Sequence, residues 1–361
     1  MEKPLVLAEK IKTWAKELGF QQAGITSGLL PDYEQKLEDW LKKGYHGEMD
    51  YMERYGIQRS RPSELIPGTK SIISVRLNYL PPNARIAEQL QQTDKAFISR
   101  YALGRDYHKL IRKRLVKLAE KIESEVGAFE YRPFADSAPV MEKPLAEQAG
   151  LGWIGKNTNL LTRDAGSWFF LGTLYTNLDL PVDRPVTSHC GACQACLTIC
   201  PTQAFVGPYQ LDASRCISYL TIELKGSIPE ALRPLIGNRI YGCDDCQLVC
   251  PWNRFAKVTA EKDFHPRHDL DSADLMSLFQ WTEAEFYEKT TGSAIRRIGY
   301  DAWLRNIAVA IGNSPTTPAV IDLLDKFANH PSPLVREHVL WALQRHKKKW
   351  KAITSDSCSY T

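Results

Sequence analysis

The sequence has 361 residues, of which 43% are hydrophobic and 24% charged, with a net charge of +4. That is enough chain for two or three domains with apolar cores, and no run nears the ~18 uninterrupted apolar residues that a membrane span requires. Nine cysteines without an export signal point to metal binding in a reducing, cytoplasmic setting rather than to disulfides.

The N-terminal stretch MEKPLVLAEKIKTWAKELGF mixes acids and bases at helical spacing and reads as an amphipathic helix. SIISVRLNYL at 71–80, rich in β-branched and aromatic residues and stopped by Pro81 and Pro82, is predicted to be a buried strand. DYHKLIRKRLVKLAEKIESEVG at 106–127 repeats apolar residues every three or four positions and ends on Gly127, which predicts a helix with a glycine stop. His108 lies at its start, where it can be core, cap or ligand. GSWFFLGTLYTNLDL at 166–180 is a further strand candidate. The alternation predicts an α/β layer domain over residues 1–185.

Two motifs in that domain carry both a plain and a functional reading. Asp136, in EYRPFADSAPVMEKPLAEQAG, follows a strand and precedes a helix, so it is either an N-cap or a proton donor facing a pocket. The glycines of AGLGWIGKNTNL (149–160) lack dinucleotide-binding spacing but would let backbone approach a flat cofactor. Lys156 and Asn157 are then polar contacts, or members of an ordinary turn.

The cysteines fall within residues 186–256. One run is Cys190-x2-Cys193-x2-Cys196-x3-Cys200-Pro201 and the other Cys243-x2-Cys246-x3-Cys250-Pro251. This is the cadence of a two-cluster ferredoxin, in which the cysteine before each proline serves the other cluster. It disfavours zinc, the competing use of paired C-x2-C units. By that rule Cys190, Cys193, Cys196 and Cys250 hold one 4Fe–4S cluster. Cys200, Cys243 and Cys246 need a fourth ligand, because Ile240 occupies the usual position, and Cys216 supplies it. Cys358 is left over in a polar tail, with no expected role.

Residues 257–361 turn helical, clearly so over 296–350. RNIAVAIGN at Arg305 and REHVLWALQ at Arg336 echo each other at a spacing of 31, each placing an Arg before an apolar helix, as in paired-helix repeats or in a plain helical cap. From Arg296 onward there are 10 Lys and Arg against 5 Asp and Glu. The basic surplus suits a polyanionic partner or a solvated helix end.

Five segments together resemble the cobalamin-dependent epoxyqueuosine reductases: RYALGRDYHKL (100–110), RPFADSAPVMEKPLAEQAGLGWIGKN (132–157), HCGACQACLTICPTQA (189–204), RCISYLTIE (215–223) and IGNRIYGCDDCQLVCPWN (236–253). The resemblance implies a nitroreductase-like α/β domain holding cobalamin, a ferredoxin-like domain with two 4Fe–4S clusters, and C-terminal HEAT-like helical repeats that contact tRNA. It implies reduction of epoxyqueuosine to queuosine at the wobble base, fed by an external low-potential electron donor. Asp136 is then the proton donor, its pKa raised by burial among Phe134, Ala135, Ala138, Pro139 and Val140 beneath the macrocycle. Arg59, Tyr101, His108, Met141, Lys156, Asn157, Ser218 and Asp244 are the implied cofactor contacts. A ferredoxin-type relay subunit and a reductive dehalogenase-like enzyme are the other readings, separated from the first by cobalt content and by substrate assay.

Overall fold

The computed structural model describes residues 2–82 and 84–357; Cys358 lies outside them. Helix α1 (Glu2–Glu17) and strand β1 (Gln22–Thr26) lead to β2 (Ser71–Asn78), α2 (Tyr107–Val126), β3 (Tyr131–Phe134), α3 (Glu142–Gln148) and β4 (Phe169–Thr176). The four strands form one antiparallel sheet in the order β1–β2–β4–β3, with Ser71 opposite Thr176 and Asn78 opposite Phe169. Every residue of β2 is buried because the sheet is covered on both faces. That is why its sequence reads as a continuous run rather than an alternation.

On one face Ile73, Val75 and Leu77 of β2 pack with Ile11 and Ala15 of α1 and with Ile111, Leu115 and Leu118 of α2. On the other, Ile72 and Tyr175 meet Leu145 of α3. Helix α2 crosses close over Gly172 of β4, where an added Cβ would come within 2.5 Å of Ile111. It ends at Gly127, whose φ of +83° suits glycine. These contacts fix the start of α2, and so the position of His108.

Beyond the sheet, a second core joins residues 96–103, both sides of the second cysteine run and the C-terminal helices. A short parallel ladder pairs Phe97–Ile98 with Arg239–Tyr241. Helix α4 (Ile217–Ile222) follows Cys216, and α5 (Tyr300–Asn313), α6 (Pro318–Phe327) and α7 (Pro333–Ser357) close the chain. The expectation that Arg305 and Arg336 precede their helices is corrected. Gly299 and Pro333 set the helix starts, so Arg305 lies inside α5 and Arg336 in the first turn of α7. The two echoing segments pack on each other, with Gly312 leaving room for Trp341. Among the described residues no helix is long and apolar enough to cross a membrane.

Arg305 is fully buried. Its guanidinium donates to the carbonyls of Leu220 (3.0 Å), Leu224 and Gly226 (both 2.8 Å). The neighbouring Asn306 amide donates to Thr221 (2.8 Å) and Ile240 (2.9 Å). Carbonyls that α4 leaves open at its C-terminal end are thereby satisfied. Arg305→Ala strands several buried acceptors, each costing ~1–3 kcal/mol. The expected outcome is a midpoint shift equivalent to roughly 3 kcal/mol or more in denaturant unfolding followed by circular dichroism.

Candidate active site and cluster cavities

The structure brings the cysteines together in two sets. Cys190, Cys193, Cys196 and Cys250 line a cavity of about 240 Å³, and Cys200, Cys216, Cys243 and Cys246 line another of about 400 Å³. All eight are free thiols. Ile240 is fully buried in the C-terminal core, so the usual ligand position faces away from the second cavity. Cys216 stands at the N-terminus of α4, with the amides of Ser218 and Tyr219 directed at its sulfur. Burial, and then Asp245, pushes the Cys243 thiol well above its ordinary range; burial, and then Cys216, does the same to Cys246. Such thiols ionise only against a positive centre, and an iron–sulfur core provides one.

Asn157 lines both cysteine cavities, and its amide donates to the Cys246 carbonyl (3.1 Å). Lys156 donates to the carbonyls of Gly191 (2.6 Å) and Cys193 (2.9 Å), which ties it to the first cysteine loop.

A third and larger cavity, about 950 Å³, adjoins the second. The two share Tyr101, Tyr107, Leu211, Cys216 and Ser218 in their walls. His108 and Asp136 also line it, and His108 stacks on Tyr107 of the shared wall with ring centroids 4.3 Å apart. The start of α2 builds this corner. Asp106 caps the helix by accepting from the His108 amide (2.9 Å), and the same oxygen lies 2.5 Å from the His108 Nδ1. The other ring nitrogen, Nε2, is 3.3 Å from the Asp136 carboxylate. Burial opposes charging of this imidazole, but the two carboxylates outweigh it and raise its pKa to about 9.

Asp136 departs from expectation in two respects. It does not cap α3, whose N-cap is Met141. Instead it adopts a left-handed φ of +55°. Its side chain is 64% exposed at the cavity rather than enclosed. Burial of its surroundings raises its pKa, but the hydrogen bond and charge of His108, with help from Tyr107 and Arg297, bring it below the ordinary value. The expected raised pKa is therefore corrected: at neutral pH the pair holds its proton on His108.

Of the other implied contacts, Tyr101 and Ser218 line the shared wall. Asp244 is fully buried and is engaged by the Ser99 hydroxyl (2.5 Å) and the Arg100 amide (2.9 Å). Arg59 is buried against Tyr51, donating to its carbonyl. Met141 packs beside Leu30 and Leu145. None of these three lines the cavities described above. Pattern did not single out Glu142, whose carboxylate accepts from the Asp136 amide (3.0 Å). Burial, then the Asp136 charge, raises the Glu142 pKa to about 8. An acid at the first position of a helix, six residues after a suspected proton donor, was the available signal.

A family model described as "4Fe-4S double cluster binding domain" matches residues 189–253, which with this fold defines an iron–sulfur oxidoreductase. A second, "Epoxyqueuosine reductase QueG, DUF1730", matches residues 59–137. The chain is 62% identical over 344 residues to the epoxyqueuosine reductase of Pseudomonas aeruginosa, covering 95% of each. It is 57% identical over 346 residues to that of Escherichia coli, covering 96% of this chain and 91% of the relative. Among solved structures, an epoxyqueuosine reductase with an epoxyqueuosine-modified tRNA-Tyr stem loop superposes with a TM-score of 0.88 at 30% identity, over 95% of this chain and 91% of that one. One from Bacillus subtilis, with its catalytic aspartate loop swung out of the active site, gives 0.86 at 30% identity, over the same shares. The chain belongs to the epoxyqueuosine reductase family.

Cys216→Ala tests the second cysteine set. The expected result is a lower iron-to-protein ratio with a three-iron signal in EPR after anaerobic purification. Full iron and an unchanged reduced spectrum would count against Cys216 as a ligand.

Proposed function

We propose that this chain reduces epoxyqueuosine to queuosine at the wobble position of cytoplasmic tRNA, drawing electrons through two 4Fe–4S clusters. The observation that carries this reading is the wall shared between the second cysteine cavity and the large cavity, which holds Cys216, while the His108–Asp136 pair lines the same large cavity. The relative solved with a modified stem loop supports tRNA as the substrate.

Loss of the epoxide oxygen as water takes two electrons and two protons. The large cavity suits a macrocyclic cofactor: its volume of about 950 Å³ lies at the top of the ~300–1,000 Å³ of small-molecule sites, and aromatic Tyr101, Tyr107 and Tyr219 form its walls. Cobalamin is the cofactor we assign there, with Tyr101, His108 and Ser218 holding it. Bound, it would supply the two-electron centre that one-electron clusters lack. The finer description of a nitroreductase-like cobalamin domain followed by HEAT-like repeats belongs to the same reading.

Asp136 presents the proton at the substrate oxygen and His108 stores it. Asp106 holds His108 in place through Nδ1, so that Nε2 faces Asp136. The leaving oxygen departs poorly as an alkoxide, and general acids of this kind contribute ~10²–10⁴-fold. Asp136→Asn should cut single-turnover conversion by about 10²-fold or more while tRNA binding stays intact. In the unaltered enzyme the rate should fall as pH rises through about 9, where His108 loses its proton. His108→Asn should remove that limb from the pH profile, and retention of the same limb would assign it elsewhere.

Two basic surfaces are candidates for the tRNA backbone. Arg105, Lys109, Lys113 and Arg296 border the large cavity, and Lys347, Lys348 and Lys349 are exposed on α7, followed by Lys351. Lys347 is 3.4 Å from Asp325. Each phosphate left without its cation should reduce the slope of log affinity against log salt by ~0.7–0.9. Replacing Lys109 and Lys113 by Ala should weaken stem-loop binding and flatten that slope, measured by anisotropy at two salt concentrations. Replacing Lys347, Lys348, Lys349 and Lys351 together reports whether α7 shares in it.

A further inference from the structure

The first cysteine cavity is the one from which electrons must come in, because the second lies between it and the large cavity. Of the eight cysteines only Cys193, in the first cavity, is exposed. Beside it is a groove of about 490 Å³ to which the reaction assigns no role. The two are joined at His189, which lines both. Trp153 in the groove and Trp252 in the cavity approach His189 with ring centroids 5.0 and 5.7 Å away, and each other at 5.2 Å.

The charge on this face is one-sided. Lys16 and Arg163 line the groove as exposed cations and Lys156 and Arg254 line the cavity, while Arg76 of the groove is buried and engaged by Gln22 and Asn78. Among the described residues Asp164 is the only acid in the two linings, and it lies 3.5 Å from Arg76. Val186, 42% exposed, adds an apolar contact point. We propose that this face docks a small acidic carrier protein that delivers one electron per visit. Each visit oxidises the carrier by one electron and reduces the first cluster by one, with no atoms exchanged, so two visits supply one epoxide reduction. A protein fits better than a small anion because the cationic rim extends across two adjoining depressions rather than closing on one. Complementary charge of this kind steers encounter and makes it salt-dependent.

The inference rests on the first cavity holding a cluster. Lys16 and Arg163 are exposed and bind none of the cysteine loops, which makes Lys16→Glu with Arg163→Glu the suitable variant. With cluster-loaded enzyme and photoreduced bacterial flavodoxin as probe, cluster bleaching should slow about tenfold in the double variant and lose most of its salt dependence. Calorimetric binding of oxidised flavodoxin should weaken in parallel. Reduction by photoreduced deazariboflavin, a small uncharged donor, should match the unaltered enzyme. Absence of bleaching by that donor in both proteins would instead overturn the cluster assignment. Unchanged flavodoxin kinetics and binding would overturn the docking face. An equal slowing with dithionite would make the groove a small-anion site and also overturn it.

Discussion

The guanidinium of Arg305 is the contact on which the arrangement of the redox centre depends. Buried in the middle of α5, it closes off the open carbonyls of α4, and Asn306 beside it takes Thr221 and Ile240. Helix α4 begins at Cys216, so the cation that ends the helix also fixes the thiol that starts it. Burial lowers the Arg305 pKa to about 10, still far enough above neutrality to keep the charge. The C-terminal helices are therefore part of the redox centre's scaffold, because the core they belong to includes Ile240 and packs against Cys216 and Cys243.

The large cavity meets the second cysteine set along one wall, at Cys216 and Ser218, and Asn157 joins that set to the first. The proton is held by His108 between two carboxylates, one belonging to the helix cap and the other to the loop. The two carboxylates differ in setting: Asp106 is committed to the helix, while Asp136 is exposed to the cavity.

What the sequence revealed depended on how local the governing geometry is. Cluster-type cysteine spacing is a property of a few consecutive residues, and counting to four ligands was enough to single out Cys216 before its position was known. The strand at 71–78 and the helix at 107–126 were legible for the same reason, since periodicity reflects which faces are covered. The charge state of Asp136 was not legible. It is set by His108, 28 residues away, brought near by the packing of α2 on Gly172. Arg59, Met141 and Asp244 were carried over by resemblance alone; the structure engages them with Tyr51, with Leu30 and Leu145, and with Ser99, respectively. Arg305 looked like a helix-flanking residue because a charged side chain is seldom fully buried; its carbonyl partners lie some eighty residues earlier in the chain.

The Asp136 loop is tied to α3 by the hydrogen bond from its own amide to Glu142 and to α2 by the contact of its carboxylate with His108. A left-handed aspartate is a conformation of modest cost, of order 1–3 kcal/mol, which persists only while its surroundings enforce it. Here the Glu142 carboxylate and the His108 ring are the surroundings in contact with it. Removing either partner would leave the left-handed turn without a contact that enforces it, so the placement of this carboxylate is shared by two helices rather than owned by its loop.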